Sequence, residues 1–461
     1  MKTAREWVEE CQNNHPSCPR SGKPKLPTRV IDVGLESEIT TVKLHVSHAT
    51  EFEEYVSLSY CWAGPQPLVT TTENLASMIY DIPLEKLPQT ILDAIKVTKH
   101  LNIRYLWIDA LCIIQNSDAD QREEIDRMGQ IYKKATVTIA AASAKSVSEG
   151  FLQTRAAPEH HTLPFLTPGG SLGKVFVMRE FAYDSMHPLN KRGWTLQEAL
   201  LSPRKLMYGE RELVWYCEFE QFKQFPGSAL RCVHVFGILP PEVFQQDGDV
   251  QIRPPNDHRL WSSIVNEYTR RSLTFREDRL RALAGIINEL TPIFRDRCVF
   301  GMWHRNFLRQ LGWLRTVGVD GDTGRELLSC APGWSWASGY FTVTFMGFQP
   351  YELSWELLSR TFVIKAKVQK ASNMEPRETG SWRYYWDVPS MGGPQYGFGV
   401  EYEGREIYYL LLGYEPDREY PLFALILIEV EDQAFRRVGI VQTTLPTTVF
   451  ANCQEKSIRI I

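Results

Sequence analysis

The pattern of hydrophobic and polar positions divides the first half of the chain into alternating strand-like and helix-like segments. Apolar runs at residues 54–60, 105–108 and 135–143 are typical of strands that are buried on both faces. Between them, residues 88–100 and about 121–134 carry apolar side chains at helical spacing. The order strand, helix, strand, helix, strand is the pattern of a parallel sheet with right-handed crossovers. We therefore predict an α/β core.

Weaker patterns flank this core. Residues 29–33 and 40–46 alternate and are rich in β-branched side chains, which predicts two further strands. Residues 144–190 contain several prolines and glycines and are predicted to be irregular. A helix is predicted from Trp194 to just before Pro203. The remaining predictions are helices at 260–271 and 279–289, and strands at 205–208, 212–217, 361–368, 406–412, 423–430 and 437–441.

Composition along the chain predicts four regions. Residues 1–24 form a short amphipathic helix and lid, and residues 25–220 form the α/β domain. Residues 221–256 are rich in Pro, Gly and Gln, which is typical of a linker. Residues 257–461 combine a helical pair with alternating strands. The predicted fold class is thus an α/β parallel-sheet core with a β-rich C-terminal companion domain, which suits a length of 461 residues.

Composition and charge are those of an ordinary globular protein. The chain is 43% hydrophobic and 23% charged, and its formal net charge is −4. Acids and bases are mixed, so neither nucleic acid nor an anionic membrane is indicated as a partner. The longest apolar run, at 421–428, is far too short to span a bilayer, and residues 1–10 lack the apolar core of a signal peptide. Nine irregularly spaced cysteines then suggest reduced thiols, and a cytoplasmic location is expected.

The N-terminal region contains three side chains of the types that bind zinc. They are Cys11, His15 and Cys18. A structural zinc site needs four ligands, and no fourth ligand with suitable spacing follows in the sequence. We therefore predict no metal, and interpret residues 1–24 as a small ordered brace.

Polar and aromatic side chains follow two of the predicted strands. In open α/β sheets, ligands bind outside the carboxyl ends of the strands. Residues just after the two runs should therefore meet in one cleft. The candidates are Ser59, Tyr60, Trp62, Asp109, Cys112 and Gln115. The sequence contains no GxGxxG or Walker motif, so a dinucleotide site rests on fold analogy alone.

Five motifs in order carry a family resemblance. They are Ser57-Leu-Ser-Tyr-Cys-Trp62, Leu87-Pro-Gln-Thr-Ile-Leu-Asp-Ala94, Tyr105-Leu-Trp-Ile-Asp-Ala-Leu-Cys-Ile113, Met128-Gly-Gln-Ile-Tyr-Lys-Lys-Ala135 and Arg192-Gly-Trp-Thr-Leu-Gln-Glu198. On these motifs the chain resembles the heterokaryon-incompatibility (HET) domain proteins of filamentous fungi. Pro332-Gly-Trp-Ser-Trp-Ala-Ser338 and Phe435-Arg-Arg-Val-Gly439 are similar to the C-terminal region of long proteins in this family.

The resemblance implies a fold and a chemistry. The HET domain is thought to be related to the TIR domain, which implies a flavodoxin-like core of parallel strands. TIR enzymes cleave NAD at the nicotinamide–ribose bond with a glutamate on a helix, and the corresponding stretch here is Trp194-Thr-Leu-Gln-Glu198. The resemblance thus implies Glu198 as the catalytic carboxylate, with NAD as the substrate and no bound cofactor.

The resemblance also implies a biological role in allorecognition and programmed cell death. Self-association, or contact with partner HET or NLR-type proteins, would accompany it. Two positions depart from the family pattern. Ala63 intervenes before Gly64, where the family usually has Gly directly after Trp62, and Ile114 replaces a usual Asp.

Glu198 fits two roles. As a catalytic group, its carboxylate would stabilise an oxocarbenium-like transition state in a dry pocket. Trp194 lies four residues earlier, so it would share a helix face with Glu198 and supply an aromatic wall. In the alternative, Thr195-x-x-Glu198 is a capping box that closes the start of the helix.

The other candidates also fit structural roles. Asp109 would contact a ligand hydroxyl, or would cap a helix or pair with a base. Cys112 would act as a nucleophile, although a buried thiol is the commoner state of a free cysteine. Gln115 would bind a base or an amide, or would be a loop residue. Tyr60 and Trp62 would hold a ligand, or would roof the core.

Three functions are consistent with these patterns. The first is NAD hydrolysis with Glu198 and Asp109 in the site. The second is a cyclisation or isomerisation in fungal natural-product synthesis, on a HET fold adapted to acid–base chemistry. The third is a protein-interaction module without enzymatic activity, which an exposed apolar patch would favour.

Overall fold

The chain divides into two compact units. One contains Met1–Gln251 and Leu283–Ile293, and the other contains Ile252–Ala282 and Phe294–Ile461. The structure is a computed structural model that describes residues 2–19, 22–35, 41–154, 160–178, 187–219, 221–223, 239–244, 257–316, 328–373, 382–387, 404–415, 422–431, 433–444, 450 and 453–461.

The described α-helices lie mostly in the first unit. They are α1 (Lys2–Asn14), α2 (Leu75–Tyr80), α3 (Gln89–His100), α4 (Asp109–Cys112), α5 (Asp118–Lys134), α6 (Trp194–Leu201), α7 (Asp257–Thr269), α8 (Ala284–Phe294) and α9 (Phe307–Gln310). Short 3-10 helices occur at Leu84–Lys86, Pro188–Lys191, Pro241–Val243, Arg276–Arg279, Arg281–Leu283, His304–Asn306, Trp336–Ser338 and Ala371–Asn373. Among the helices described, none is long and apolar enough to cross a bilayer.

The first unit is built on a mixed sheet. Its described strands are β1 (Arg29–Asp32), β2 (Lys43–Val46), β3 (Tyr55–Ser59), β4 (Tyr105–Trp107), β5 (Val137–Ala140), β6 (His160–Leu166), β7 (Leu172–Met178), β8 (Arg204–Tyr208), β9 (Leu213–Cys217) and β10 (Gln221–Lys223). Eight of them form one sheet in the order β10-β9-β8-β5-β3-β4-β1-β2.

The centre of this sheet is parallel, as the sequence predicts. Strands β4, β3, β5 and β8 pair side by side in parallel, while β1 and β2 at one edge and β9 and β10 at the other are antiparallel. We number the four parallel strands by their order in the chain, so that β3 is the first, β4 the second, β5 the third and β8 the fourth. Across the sheet they then lie in the order second, first, third, fourth. Every residue of β3, β4 and β5 is buried, which explains why these strands read as continuous apolar runs.

The register brings the carboxyl ends of the parallel strands to one edge. Ser57 in β3 pairs with Trp107 in β4 on one side and with Thr138 in β5 on the other. Ser59 is level with Ala140, the last residue of β5. The loops after these strands therefore emerge together, as the cleft prediction requires.

Helices α5 and α8 approach closely beside α6. A Cβ placed on Gly129 of α5 would lie 2.9 Å from the Cα of Gly285 in α8. The backbone N–H of Gly285 donates to Oε1 of Gln197 over 2.7 Å. Gln197 directly precedes Glu198, so this contact holds the helix that carries the candidate carboxylate.

The prediction that residues 144–190 are irregular is confirmed for residues 144–154, which contain no helix or strand, but it is wrong for residues 160–178. Strands β6 and β7 form an antiparallel hairpin, in register from His160–Met178 to Leu166–Leu172. Pro164 and the glycines in the turn conceal the alternation in the sequence. Proline is compatible with a two-stranded hairpin because its missing N–H can face the unpaired edge.

Two region boundaries differ from those drawn on the sequence. Most of the predicted linker at 221–256 lies outside the described residues, but residues 221–223 form β10 and continue the sheet of the first unit. Residues 283–293, which were assigned to the C-terminal domain, group with the first unit. The packing of α8 against α5 and α6 accounts for this grouping.

The second unit is rich in β-structure, as predicted. Its described strands are β11 (Cys298–Val299), β12 (Met302–Trp303), β13 (Trp313–Thr316), β14 (Thr342–Phe345), β15 (Gln349–Pro350), β16 (Ser354–Leu358), β17 (Thr361–Lys370), β18 (Trp382–Trp386), β19 (Ile407–Tyr414), β20 (Leu422–Glu431), β21 (Ala434–Thr443) and β22 (Glu455–Ile460). Strand β17 pairs with both β19 and β22, so β19-β20-β21-β22-β17 forms a closed ring of pairings.

Arg437 on β21 organises the interior of the second unit. Its guanidinium lies 3.6 Å from the ring centroid of Trp313 and donates to the carboxylate of Asp387 over 3.0 Å. It also donates to the backbone carbonyls of Leu311 and Trp313. A buried guanidinium needs this many acceptors to offset its lost hydration.

The close approach of α5 and α8 generates a stability prediction. We expect Gly129→Val to lower the free energy of unfolding by about 2 kcal/mol, because the branched side chain would overlap the backbone of Gly285. Gly347→Val is the control, since a Cβ there would meet no atom within 4 Å; we expect it to change stability by less than about 0.5 kcal/mol. Urea denaturation measures both, and equal stability of the two variants would contradict the packing.

Candidate functional site

Glu198 lies on α6 with its carboxylate buried against the sheet. Its side chain is 5% exposed, and Oε2 accepts a hydrogen bond from the hydroxyl of Ser59 at the end of β3. Helix α6 therefore presents Glu198 to the carboxyl edge of the first parallel strand. The predicted site residues Glu198 and Ser59 are in direct contact.

The capping-box alternative for Glu198 is wrong. Helix α6 begins at Trp194, its N-cap is Gly193, and that cap makes no side-chain hydrogen bond. Thr195 is already inside the first turn, where its hydroxyl donates to the backbone carbonyls of Leu189 and Arg192 over 2.7 and 2.8 Å. Since Glu198 does not take part in an N-terminal cap, capping does not explain why its carboxyl group is buried.

Asp109 is the second carboxylate of the cluster. It is the first residue of α4, directly after β4, and its Oδ2 accepts a hydrogen bond from Nε1 of Trp62 over 2.9 Å. Its Oδ1 accepts from the backbone N–H of Ala110 over 2.7 Å. The hydroxyl of Tyr60 also interacts with this carboxylate. Asp109, Trp62 and Tyr60 are therefore brought together as the cleft prediction expects.

Arg192 supplies the positive charge of the cluster. Its guanidinium donates to the backbone carbonyl of Tyr60. Burial raises the pKa of Glu198 from 4.5 to about 7, and the charge of Arg192 opposes this rise. Burial likewise raises the pKa of Asp109, again opposed by Arg192. The negative charge of Asp109 raises the pKa of Glu198 further, so the two carboxyl groups interact electrostatically.

A row of buried hydroxyl groups runs beneath α6. Ser57 and Thr138 on neighbouring strands are hydrogen-bonded over 2.8 Å, and Thr138 is bonded to Ser202 over 2.6 Å. Ser202 then donates to the backbone carbonyl of Glu198 over 2.6 Å. The ammonium of Lys205 donates to the carbonyl of Ala199 over 2.6 Å. These bonds fix the carboxyl-terminal end of α6 on the sheet.

A small cavity adjoins the carboxyl group of Glu198. It lies between α6 and the first, third and fourth parallel strands (β3, β5 and β8), and has room for about one water molecule. The lining residues are Ser59, Thr138, Ala140, Leu189, Asn190, Thr195, Glu198, Ala199, Lys205 and Met207.

Three predicted site residues make contacts that stabilise the fold. The thiol of Cys112 is fully buried and accepts from the N–H of Ile108, and burial raises its pKa to about 12, which opposes a nucleophilic role. The amide of Gln115 donates to the backbone carbonyls of Asp109 and Ile113 over 3.0 and 3.1 Å, so it braces the turn that carries Asp109. Trp194 is half-buried and packs against the core of the first unit.

The turn after β3 holds a strained residue. Ala63 has a φ of 51°, in the left-handed region that favours glycine, and Gly64 follows with a φ of 120°. Ala63 is the position that departs from the family pattern. It directly follows Trp62, whose indole N–H bonds to Asp109, so the strained turn adjoins the cluster.

Two residues that complete the cluster, Arg192 and Tyr132, are not among the site residues predicted from the sequence. Arg192 occurs in the motif that ends at Glu198, which was the available signal. Tyr132 was assigned to the apolar face of a helix; its hydroxyl donates to the carbonyl of Leu58 over 2.9 Å and also interacts with Glu198. No local pattern identifies such a tyrosine, because its partners lie on a distant strand.

The raised pKa of Glu198 generates a prediction about stability and pH. The folded state favours the protonated carboxyl, so stability should fall as pH rises from about 4.5 to about 7 and then level off. A pKa shift of this size corresponds to a change of about 3 kcal/mol in the free energy of unfolding. Urea denaturation at pH 4.5 and 7.5 measures the stability of wild type relative to Glu198→Gln.

Between pH 4.5 and pH 7.5, we expect the free energy of unfolding of Glu198→Gln to rise by about 3 kcal/mol relative to that of wild type, because glutamine does not ionise. Glu123→Gln is the control, since its side chain is 61% exposed on α5, and it should follow the wild-type curve. A difference between wild type and Glu198→Gln that does not change with pH would show that Glu198 is not held in an apolar environment.

Comparison with known proteins agrees with the sequence motifs. The family model described as heterokaryon incompatibility protein (HET) matches residues 55–198. The match begins at β3 and ends at Glu198, so it spans three of the four parallel strands (β3, β4 and β5) and both carboxyl groups of the cluster. No curated protein and no solved structure matches the chain. The cluster of Glu198, Ser59 and Asp109 thus lies within residues 55–198, and this segment of the chain is a heterokaryon-incompatibility (HET) domain.

Proposed function

We propose that the HET domain hydrolyses NAD at the bond between nicotinamide and ribose, with Glu198 as the catalytic carboxylate. The observation that carries the proposal is the position of Glu198. It is a buried carboxyl group with a pKa of about 7, bonded to Ser59 at the carboxyl end of β3, where that strand pairs with β5. This is the place where doubly wound sheets bind nucleotide ligands.

The reaction needs an anion more than it needs an acid. Nicotinamide leaves as a neutral molecule from a cationic ring, so its departure requires no proton. The ribose develops positive charge, which the carboxylate of Glu198 stabilises. Water then adds to the ribose carbon, and one proton is released, with Glu198 as the base that accepts it. The products are nicotinamide and ADP-ribose.

The strand order supports a TIR-like core. The parallel strands lie second, first, third, fourth, and the flavodoxin-like order begins in the same way. Asp109 and Tyr60 shape the pocket on the side of the second strand, with Trp62 as its aromatic wall. We expect Arg192, which supplies the positive charge of the cluster, to contact the pyrophosphate of the substrate.

Substrate entry requires the site to open. The cavity beside Glu198 has room for about one water molecule, far less than a nicotinamide ribosyl group needs. Leu189 and Asn190 line it from the short helix Pro188–Lys191. We expect this helix to shift when the substrate binds, and self-association to favour the open state. Hydrolysis in the cell would then deplete NAD, in keeping with a role in cell death and allorecognition.

The activity test compares two buried glutamates. Purified protein, dilute and then concentrated or crowded, is incubated with NAD, and nicotinamide is quantified by chromatography. We expect Glu198→Gln to reduce the rate by about 100-fold or more. Glu124→Gln should retain the wild-type rate, because Glu124 is equally buried but bonds to Thr28 away from the cluster.

The pH profile sharpens this test. The wild-type rate should rise with pH through about 7, because the ionised form of Glu198 is the active one. Release of nicotinamide that is equal in wild type and Glu198→Gln would remove Glu198 from the mechanism. Absence of release at every concentration would contradict the proposed activity itself.

A protein-interaction function is the second candidate, and the β6–β7 hairpin favours it. Large apolar side chains are exposed along both strands, including Leu166 at 66% and Leu172 at 77%. Every described side chain of β6 is exposed. Exposed apolar patches of this kind mark contact surfaces, and the free edges of a two-stranded sheet can pair with another chain. A second copy of the protein is the partner that we propose.

The hairpin surface predicts a change in assembly state. We expect the double variant Leu166→Ser with Leu172→Ser to remain folded, because both side chains are already exposed, and to dissociate at concentrations where wild type associates. Light scattering after gel filtration measures the mass of each. The control is Leu358→Ser, an apolar side chain that is 45% exposed in the second unit. Equal masses for wild type and the double variant would exclude the hairpin as the contact surface.

A further inference from the structure

Four metal-binding side chains converge away from the Glu198 cluster. They are Cys11, His15, Cys18 and Cys217, and their ligand atoms all lie within 4.8 Å of one another. Nδ1 of His15 lies 3.4 Å from the sulfur of Cys217 and 3.9 Å from the sulfur of Cys18. The structure thus supplies the fourth donor that the sequence analysis lacked.

These distances fit a tetrahedral zinc site. Zinc lies about 2.3 Å from a thiolate sulfur and about 2.0–2.1 Å from a histidine nitrogen. In a tetrahedron, neighbouring donors are then separated by about 3.5–3.8 Å. We propose that Cys11, His15, Cys18 and Cys217 bind a structural zinc ion in a closed Cys₃His site.

The arrangement of the four residues explains how the site is built. Cys11 lies in the last turn of α1, and His15 follows four residues later, so the two project toward the same side. Cys18 lies in the turn beyond the helix. Cys217 is the last residue of β9. Zinc would therefore fasten the N-terminal helix to the end of a sheet strand.

The surroundings suit a site with three thiolates. Three thiolates and one zinc ion carry a net charge of −1, which a nearby cation would balance. Nε of Arg204 lies 3.1 Å from the sulfur of Cys11. The same guanidinium donates to the carbonyl of Pro19, in the segment that follows Cys18. Such outer contacts orient the ligands of metal sites.

The four side chains of this cluster are largely shielded from solvent, unlike cysteines on a protein surface. Cys11, His15 and Cys18 are buried, and Cys217 is half-buried. The imidazole of His15 also packs against Phe219, with ring centroids 4.6 Å apart. Water has little access to the donors, and a closed four-ligand site needs none.

The test measures metal content in the full chain. Protein is purified under reducing conditions, and zinc is quantified by mass spectrometry. We expect one zinc ion per chain in wild type, and loss of that zinc in Cys217→Ser. Cys298→Ser is the matched control, since Cys298 is a half-buried cysteine of the second unit, and it should retain the metal.

A second measurement decides the question if Cys217→Ser does not fold. Wild-type protein is stripped with a chelator and reconstituted with cobalt. We expect the chelator to lower Tm, and cobalt to produce the intense visible bands of a tetrahedral site with thiolate ligands. A protein that stays fully stable without metal and binds neither zinc nor cobalt would overturn the proposal. A disulfide between two of the three cysteines, seen as a two-dalton mass loss in freshly purified stable protein, would overturn it as well.

Discussion

The hydrogen bond between Ser59 and the buried carboxyl of Glu198 is the contact on which the first unit depends. An acidic side chain beneath a helix is costly to bury unless its polar atoms are bonded. The hydroxyl groups of Ser57, Thr138 and Ser202 form a bonded row under the same helix. Together with Arg192, these groups make a buried polar layer inside an otherwise apolar α/β sheet. A sheet packed for stability alone would place apolar side chains there.

The position of this layer follows from topology. Because the second strand lies on one side of the first and the third on the other, the loops after β3 and β5 diverge and leave a gap at the carboxyl edge. Helix α6 crosses this gap and brings Glu198 to it, while β4 brings Asp109 from the other side. The HET family match spans this arrangement from its first strand to Glu198. The parallel core and the two buried carboxyl groups therefore occupy one segment.

Local patterns predicted much of this, and long-range contacts explain the rest. The apolar runs of β3, β4 and β5 identified the parallel core because strands buried on both faces leave a strong signal. Thr195-x-x-Glu198 suggested a cap at Thr195, but the N-cap is Gly193, two residues earlier, which a pattern of four residues cannot resolve. Tyr132 and Cys217 could not be assigned, since their partners are far away in sequence. The β6–β7 hairpin was missed because Pro164 and the turn glycines interrupt its alternation.

We propose that a nucleotide binds where Ser59, Asp109 and Glu198 meet. Hydrogen–deuterium exchange on the Glu198→Gln variant, with and without saturating NAD, detects such binding, because that variant would bind the substrate without consuming it. We expect slower exchange in peptides that cover residues 55–64, 105–115 and 187–201, with the strands of the second unit unchanged. Exchange that NAD leaves unaltered in these peptides, or protection confined to other segments, would contradict it.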